Sequence, residues 1–150
     1  YGDHRDLHSS LHDALPISPH KCSAMVLFIA NDITGGTNDK SPEEVRKLFS
    51  MIHKTFRREH PGVPVFYIEV TPTRSRWKAW PKINQGNELV RGWCENHRNT
   101  FFIGTDTAFL NSSGEPKEEL FVSDKLHLNA DGYRVWTTII KGELDKILKR

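Results

Sequence analysis

The feature that most constrains the fold is an alternation of apolar segments of strand length with segments that carry helix signals. The strand candidates are residues 24–30, 64–70 and 100–104, each a nearly continuous apolar run. Runs of this kind are typical of strands covered on both faces, as in parallel sheets. The sequence therefore predicts three strands buried between layers.

Helix signals fill the intervals between these strands. The clearest begins at Ser41, an N-cap serine that is followed by Pro42 in the first turn and by Glu44 three residues after the cap. A Pro-Gly pair after residue 60 ends this helix. Two further helices are predicted over residues 82–97 and 131–148.

Strands that alternate with helices indicate a parallel sheet with helices on both faces, which is a three-layer α/β/α architecture. Ligands of such folds gather at the carboxyl ends of the strands. The loops over residues 31–40, 71–81 and 105–130 are therefore the places to look for a functional site.

Composition narrows the class of protein further. Among 150 residues, 21 are Lys or Arg and 19 are Asp or Glu, so the net charge of +2 gives no strong field to attract nucleic acid or an anionic membrane. The longest apolar run, residues 24–30, is far shorter than the roughly 20 residues of a membrane span. Cys22 and Cys94 make neither a disulfide framework nor metal-site spacing. We expect a single domain with no membrane span and no nucleic-acid partner.

The first 20 residues differ in composition from the rest. They hold four of the eight histidines and lack a sustained apolar period. His4, His8 and His12 would share one face of a helix, where they could bind a transition metal. Pro16 and Pro19 follow closely, however, and favour a loose, non-native tail instead. We therefore expect a disordered or non-native tail over residues 1–20, a folded domain over residues 21–150 and no metal site.

Asp124 and His127 form the first candidate for chemistry. They lie three residues apart, so that both side chains can point the same way. A carboxylate so placed orients the imidazole and stabilises its protonated form, as general-base catalysis at a serine requires. The alternative is a surface aspartate and a histidine near a helix cap, with Asn129 or Asp131 capping the next helix.

Asn31 is the second candidate, because it follows the first predicted strand directly. A side-chain amide at a strand end can donate a hydrogen bond to a developing oxyanion, a contact worth about 3 kcal/mol in the transition state. The alternative is an Asx turn that takes the chain out of the strand.

Taken together, these motifs resemble those of the SGNH (GDSL-like) esterase and acylhydrolase family over about residues 21–149. The most specific part is residues 119–133, which are similar to the final block of the family. The resemblance implies a flavodoxin-like parallel sheet and a Ser-His-Asp triad in which Asp124 is the orienting acid and His127 the general base. It also implies that Asn31 belongs to the oxyanion hole, that the substrate is a small-molecule ester, and that no cofactor is needed.

The chain departs from the family pattern at the oxyanion block, which is usually Gly-x-Asn-Asp. The glycine is replaced by Ile29 ahead of Asn31, whereas Gly36-Thr37-Asn38-Asp39 has the family letters but lies well past the strand. We favour Asn31, because an oxyanion donor needs a rigid strand terminus. Asn38 is the second choice.

The chain also departs from the family at the nucleophile. The expected Gly-Asp-Ser block after a first strand is missing, and residues 1–4 imitate it with His4 at the serine position. The family's second block, whose glycine supplies a backbone oxyanion donor, cannot be located either. Ser9 and Ser10 are poor candidates, so the nucleophile is unknown. These departures indicate the C-terminal part of a hydrolase whose nucleophile block is missing at the N-terminal end.

The loop over residues 73–82 interleaves cations with aromatic side chains. One interpretation is a platform for single-stranded nucleic acid, formed by Arg74, Arg76, Trp77 and Trp80. We favour a loop at the mouth of the site, with Trp77 or Trp80 forming a wall for the substrate. Plain packing is the alternative for at least one tryptophan, since aromatic side chains bury so much area.

The sequence thus predicts a serine ester hydrolase, of the acyl or acetyl esterase or lipase kind, whose serine is not in this chain. The alternative is a catalytically inactive fragment that at most binds a carbohydrate or an acyl group.

Overall fold

The computed structural model describes residues 21–149. Its sheet has three parallel strands in the order β1-β2-β3. In register, Met25 pairs with Val65, which pairs in turn with Thr100. The strands are β1 (Met25–Leu27), β2 (Val65–Ile68) and β3 (Thr100–Ile103). The predicted tail, with His4, His8, His12, Ser9 and Ser10, lies outside the described residues.

Helices occupy the intervals between strands, as predicted. They are α1 (Pro42–Glu59), α2 (Trp80–Glu95), the short α3 (Asp106–Phe109) and α4 (Ala130–Leu148), with 3-10 turns at Trp77–Ala79 and Glu118–Leu120. None of the helices between residues 21 and 149 is long and apolar enough to cross a membrane. The α2 helix begins two residues before its predicted start, because Pro81 fits the first helical turn, where its missing N–H is not needed.

The start of α1 follows the capping box that the sequence predicts. The Glu44 backbone N–H donates to the Ser41 hydroxyl at 3.1 Å, and the Ser41 N–H donates to the Glu44 carboxylate at 2.7 Å. Two N–H groups that a helix start leaves without partners are thereby satisfied. The position of α1 is therefore fixed by local sequence.

Two apolar layers lie on opposite faces of the sheet. On one face Phe49 of α1 and Val90 of α2 cover Tyr67 of β2, and all three are at most 1% exposed. On the other face, α4 contributes Ile140 to a cluster with strand residues. This arrangement confirms the predicted three-layer α/β/α fold with a parallel sheet.

The first strand differs from its prediction. It is shorter than residues 24–30, and the side chains of Val26 and Phe28 are 42% and 45% exposed. The reason is its position: β1 is an edge of the described sheet and pairs only with β2 among residues 21–149. The prediction that this strand is buried on both faces of the sheet is therefore wrong. It holds for β2, of which all four residues are buried.

Two buried polar side chains fix the strand ends where the functional loops begin. The Glu69 carboxylate accepts N–H bonds from Thr105 at 2.6 Å and Asp106 at 2.8 Å, which ties the end of β2 to the end of β3. Burial raises the pKa of this carboxyl group. The Asn87 side chain of α2 forms two hydrogen bonds of 3.1 Å with the backbone N–H and C=O of Val70. These bonds hold the exit from β2 in one geometry.

Gly132 and Gly142 form a matched pair on α4. A methyl group added at Gly132 would lie 2.2 Å from the Leu120 carbonyl oxygen, whereas one added at Gly142 would meet nothing within 4 Å. We predict that Gly132→Ala lowers the free energy of unfolding by about 1–3 kcal/mol through overpacking. Gly142→Ala should raise it by about 0.5–1 kcal/mol, because alanine is the better helix former. Urea unfolding of both variants measures these changes, and equal effects would contradict the close approach at Gly132.

His53 of α1 is a buried imidazole without a charge partner. It is 4% exposed, and its Nε2 lies 2.8 Å from the Thr100 hydroxyl oxygen. Desolvation, with a smaller contribution from the positive charge of Arg57, lowers the pKa of His53 from 6.5 to about 4. The folded protein therefore resists protonation of this ring.

The pKa of His53 predicts how stability depends on pH. Below about pH 6.5 the unfolded chain takes up a proton at this residue that the folded chain refuses until about pH 4. The free energy of unfolding should therefore fall as the pH falls from about 6.5 to 4. His53→Gln should reduce that slope, as measured by urea unfolding at a series of pH values. An identical slope in the variant would refute the assignment to His53.

Candidate active site

The Asp124 carboxylate and the His127 imidazole are in direct contact. The Asp124 Oδ2 and His127 Nδ1 atoms are 2.7 Å apart. The other carboxylate oxygen, Oδ1, accepts backbone N–H bonds from Leu126 at 2.8 Å and from His127 at 2.9 Å. One carboxylate therefore fixes both the local backbone and the orientation of the ring.

The backbone around this pair forms a tight turn. Lys125 has the left-handed φ of 56°, and its N–H donates to the Val122 carbonyl at 2.9 Å. The Val122 N–H donates in turn to the His127 carbonyl at 2.9 Å, and Phe121 bridges to Leu128 in antiparallel fashion. These bonds bring Asp124 and His127 together without the helix that a three-residue spacing suggests.

Hydrogen bonding keeps the Asp124 carboxyl group ionised. The bond from the His127 ring, followed by the backbone N–H groups of His127 and Leu126, lowers its pKa from 3.8 to about 2. An ionised carboxylate can only accept, so the neutral imidazole carries its proton on Nδ1. The Nε2 atom then has a free lone pair, which is the state that a general base needs.

The turn borders an open cleft of about 460 Å³ that contains both candidate groups, His127 and Asn31. Most of its lining is apolar. The lining residues are Phe28, Ala30, Asn31, Val70, Thr71, Thr73, Arg76, Phe121, Leu126, His127, Leu128, Tyr133 and Trp136. No serine belongs to this lining within residues 21–149.

Asn31 reaches the cleft from the loop after β1. Its side-chain oxygen accepts a bond of 3.2 Å from the Arg76 guanidinium, which also donates to the Ala30 carbonyl. Among residues 21–149, the Asn31 amide nitrogen has no hydrogen-bond acceptor, and its side-chain bond is the one that its oxygen accepts from Arg76.

Asn38, the second choice, lies elsewhere. It is exposed in the loop over residues 34–39 and does not line the cleft. The Asp39 carboxylate organises that loop by accepting from the Thr34 N–H at 2.9 Å and the Gly35 N–H at 2.7 Å. These bonds, that of the Thr34 N–H most strongly, lower the pKa of Asp39 to about 2. The structure thus brings only Asn31, of the two asparagines, into one cleft with His127.

Trp77 and Trp80, predicted to form a wall for the substrate, are not among the residues that line this cleft. Their rings stack on each other at a centroid distance of 6.1 Å, and Trp80 packs against the core below α1 and α2. The 3-10 turn that contains Trp77 leads directly into α2, which begins at Trp80. Packing, the alternative in the sequence analysis, describes Trp80.

The loop over residues 73–82 also contributes Arg76 to the cleft, which sequence reasoning did not predict. Arg76 enters the cleft, although its only predicted role was contact with nucleic acid. Its neighbour Arg74 is paired with Glu115 at 3.2 Å and with Glu118 at 2.8 Å, and these hydrogen bonds raise the pKa of Arg74 while the two carboxylates offset its charge. The positive charge available to the nucleic-acid platform considered in the sequence analysis is thereby reduced. No local sequence signal indicates that Arg76 enters the cleft while Arg74 pairs with carboxylates.

Within residues 21–149 no cluster of three His, Cys, Asp or Glu side chains has the geometry of a metal site.

The aromatic part of the cleft was also missed by sequence reasoning. Phe28 and Trp136 meet edge to face at a centroid distance of 5.5 Å. Their separation in sequence explains why no local pattern pairs them.

The described residues thus combine a parallel three-layer α/β/α fold with an acid–imidazole pair in the turn that precedes α4. A family model described as the GDSL-like Lipase/Acylhydrolase family matches residues 3–135. The chain therefore belongs to the GDSL-like lipase and acylhydrolase family. No curated protein is detectably similar to it in sequence.

Solved structures agree on the fold. A Bacteroides ovatus protein described as a GDSL-like lipase has a TM-score of 0.66 at 24% identity, over 89% of this chain and 38% of that one. A carbohydrate esterase of family 3 from Talaromyces cellulolyticus has a TM-score of 0.67 at 16% identity, over 89% and 62%. An acetyl esterase has a TM-score of 0.71 at 15% identity, also over 89% and 62%. The chain therefore spans between 38% and 62% of the length of these structures.

Proposed function

We propose that this chain carries the base, the acid and one oxyanion donor of a serine ester hydrolase. The observation that carries the proposal is that His127, held by Asp124 at 2.7 Å, lines the same cleft as Asn31. Membership of the acylhydrolase family supports the same reaction class.

In the proposed reaction, His127, Asp124 and Asn31 act in both half-reactions, which are acylation of a serine and its deacylation by water. A serine hydroxyl attacks the ester carbonyl carbon while His127 Nε2 takes its proton, and the carbonyl oxygen becomes an oxyanion next to the Asn31 amide. The protonated His127, stabilised by Asp124, then gives the proton to the leaving alcohol. Water, deprotonated by His127, then attacks the acyl-enzyme carbonyl. The bond to the serine oxygen breaks, His127 returns the proton to that oxygen, and the carboxylic acid leaves. These steps move only protons and acyl groups, so they require no metal or organic cofactor.

The proposal assigns the nucleophile to a serine N-terminal to residue 21 of the intact protein. Two observations support this assignment: no serine lines the cleft within residues 21–149, and no Gly-Asp-Ser block occurs in the sequence. Residues 21–150 would then be the C-terminal part of the hydrolase domain, and residues 1–20 as printed would not supply the serine.

The substrate of the proposed reaction is a small-molecule ester with an acyl or acetyl group. Apolar side chains, among them Val70, Leu128 and Trp136, form most of the cleft, which suits the hydrocarbon part of an acyl chain. Two of the similar structures are an acetyl esterase and a carbohydrate esterase.

A second candidate function is binding without turnover, to a carbohydrate or an acyl group. The absence of serine from the described lining favours it for the chain as printed. A fluorophosphonate probe distinguishes the two for this chain, because it labels only an activated serine. Labelling of any serine in residues 21–150 would contradict both the binding-only function and the N-terminal assignment of the nucleophile.

The proposal is tested in the protein extended by its upstream coding sequence. We predict that His127→Ala lowers kcat for p-nitrophenyl acetate by about 10²–10⁴, because no other histidine, aspartate or glutamate lines the cleft within residues 21–149. His60→Gln, outside the cleft at the end of α1, is the matched control and should retain the parent rate. Equal rates for His127→Ala and the parent would remove His127 from the mechanism.

A further inference from the structure

Arg76 connects the strand end that carries Asn31 to the loop after β2. It donates to the Ala30 carbonyl, and its Nη2 lies 3.2 Å from the Asn31 Oδ1 atom. Both acceptors are uncharged, and no carboxylate within residues 21–149 pairs with this guanidinium. We infer that Arg76 is a positioning residue that turns the Asn31 amide so that its N–H groups face the cleft. This inference rests on the proposed function, in which Asn31 serves the oxyanion.

The chemistry of the two side chains explains why arginine is suited to this task. An asparagine amide has one accepting end and one donating end, and a flip of the side chain exchanges them. A guanidinium only donates, so it favours the orientation with the Asn31 oxygen toward Arg76 and penalises the reverse. Since the amide nitrogen then points away from Arg76, the donors of Asn31 are presented rather than its acceptor. Preorganised donors of this kind stabilise an oxyanion without reorganisation during the reaction.

Arg76 is itself fixed by the loop. Its backbone N–H donates to the hydroxyl of Thr73 at 3.2 Å, and Thr73 is buried. The adjacent Ser75 N–H donates to the Lys125 carbonyl at 3.1 Å, within the turn that orients His127. The segment over residues 73–76 therefore contacts both Asn31, the proposed oxyanion donor, and the turn that contains His127, the proposed base.

A charged bridge reinforces the contact between this loop and the turn. Arg74 and Lys125 share the Glu118 carboxylate, with N–O distances of 2.8 Å and 3.2 Å. The bridge links Arg74, two residues before Arg76, through Glu118 to Lys125 of the turn. The loop segment that carries Arg76 is therefore connected both to Asn31 and to the turn that contains His127.

The kinetic test is a double-mutant cycle between Arg76 and Asn31 in the extended, active protein. Asn31→Ala should lower kcat by about 10²–10³. Arg76→Gln should lower kcat by about 10- to 100-fold through misplacement of the amide, with KM and the pH profile of His127 unchanged. Arg76→Lys should restore part of the loss. In the Asn31→Ala background, Arg76→Gln should have no further effect on kcat.

Lys78→Gln is the control for this cycle, because Lys78 is exposed in the same loop and does not line the cleft. It should retain the parent kcat. Losses that multiply in the double variant would overturn the inference, since Arg76 would then act independently of Asn31. A rise in KM with kcat unchanged would also overturn it, because Arg76 would then be a contact for the substrate.

A second measurement does not depend on turnover. In the chain as printed, the Asn31 side-chain NH₂ group should give a high heteronuclear ¹⁵N NOE, which Arg76→Gln should reduce and Lys78→Gln should leave unchanged. If the extended protein hydrolyses no ester, the proposed function fails while this measurement still decides the Arg76–Asn31 coupling. An Asn31 NOE that is the same with and without Arg76 would overturn the inference.

Discussion

The hydrogen bonds to the Asp124 carboxylate are the interaction on which the site depends. One oxygen accepts two backbone N–H groups and closes the turn, and the other holds the imidazole of His127. Because the same group shapes the backbone and orients the ring, the turn and the base form together. Its low pKa of about 2 means that the carboxylate stays charged across the range in which an imidazole can act as a base.

The parallel sheet supplies the other half of the site. The three strands of residues 21–149 run in one direction, so the segments that follow them emerge at one edge, where Asn31 follows β1 and Arg76 follows β2. Buried Glu69 ties the end of β2 to that of β3, and α4 begins where the His127 turn ends. The cleft is therefore a consequence of topology, and the polar groups in it are held by bonds between loops that are distant in sequence.

Much of the fold is predictable from local sequence because its signals are local. The apolar runs place the strands, and the capping box at Ser41 gives the start of α1. Asp124, His127 and Asn31 were also singled out from motifs, since each motif lies within a few residues. The exposure of β1, the placement of Trp77 and Trp80 and the entry of Arg76 were not predictable. They depend on which strand lies at the edge and on which loop faces the cleft, and residue spacing contains neither kind of information.

The proposed site requires that His127 and Asn31, rather than Asn38, face one cleft. This arrangement can be tested by NMR titration of the ¹⁵N-labelled chain with butyrate, a product of the proposed reaction. We expect the His127 ring nitrogens and the Asn31 side-chain amide to shift together with one dissociation constant while the Asn38 amide does not move. A joint response of His127 and Asn38 with Asn31 unchanged, or no response of His127 and Asn31 at any soluble concentration, would contradict it.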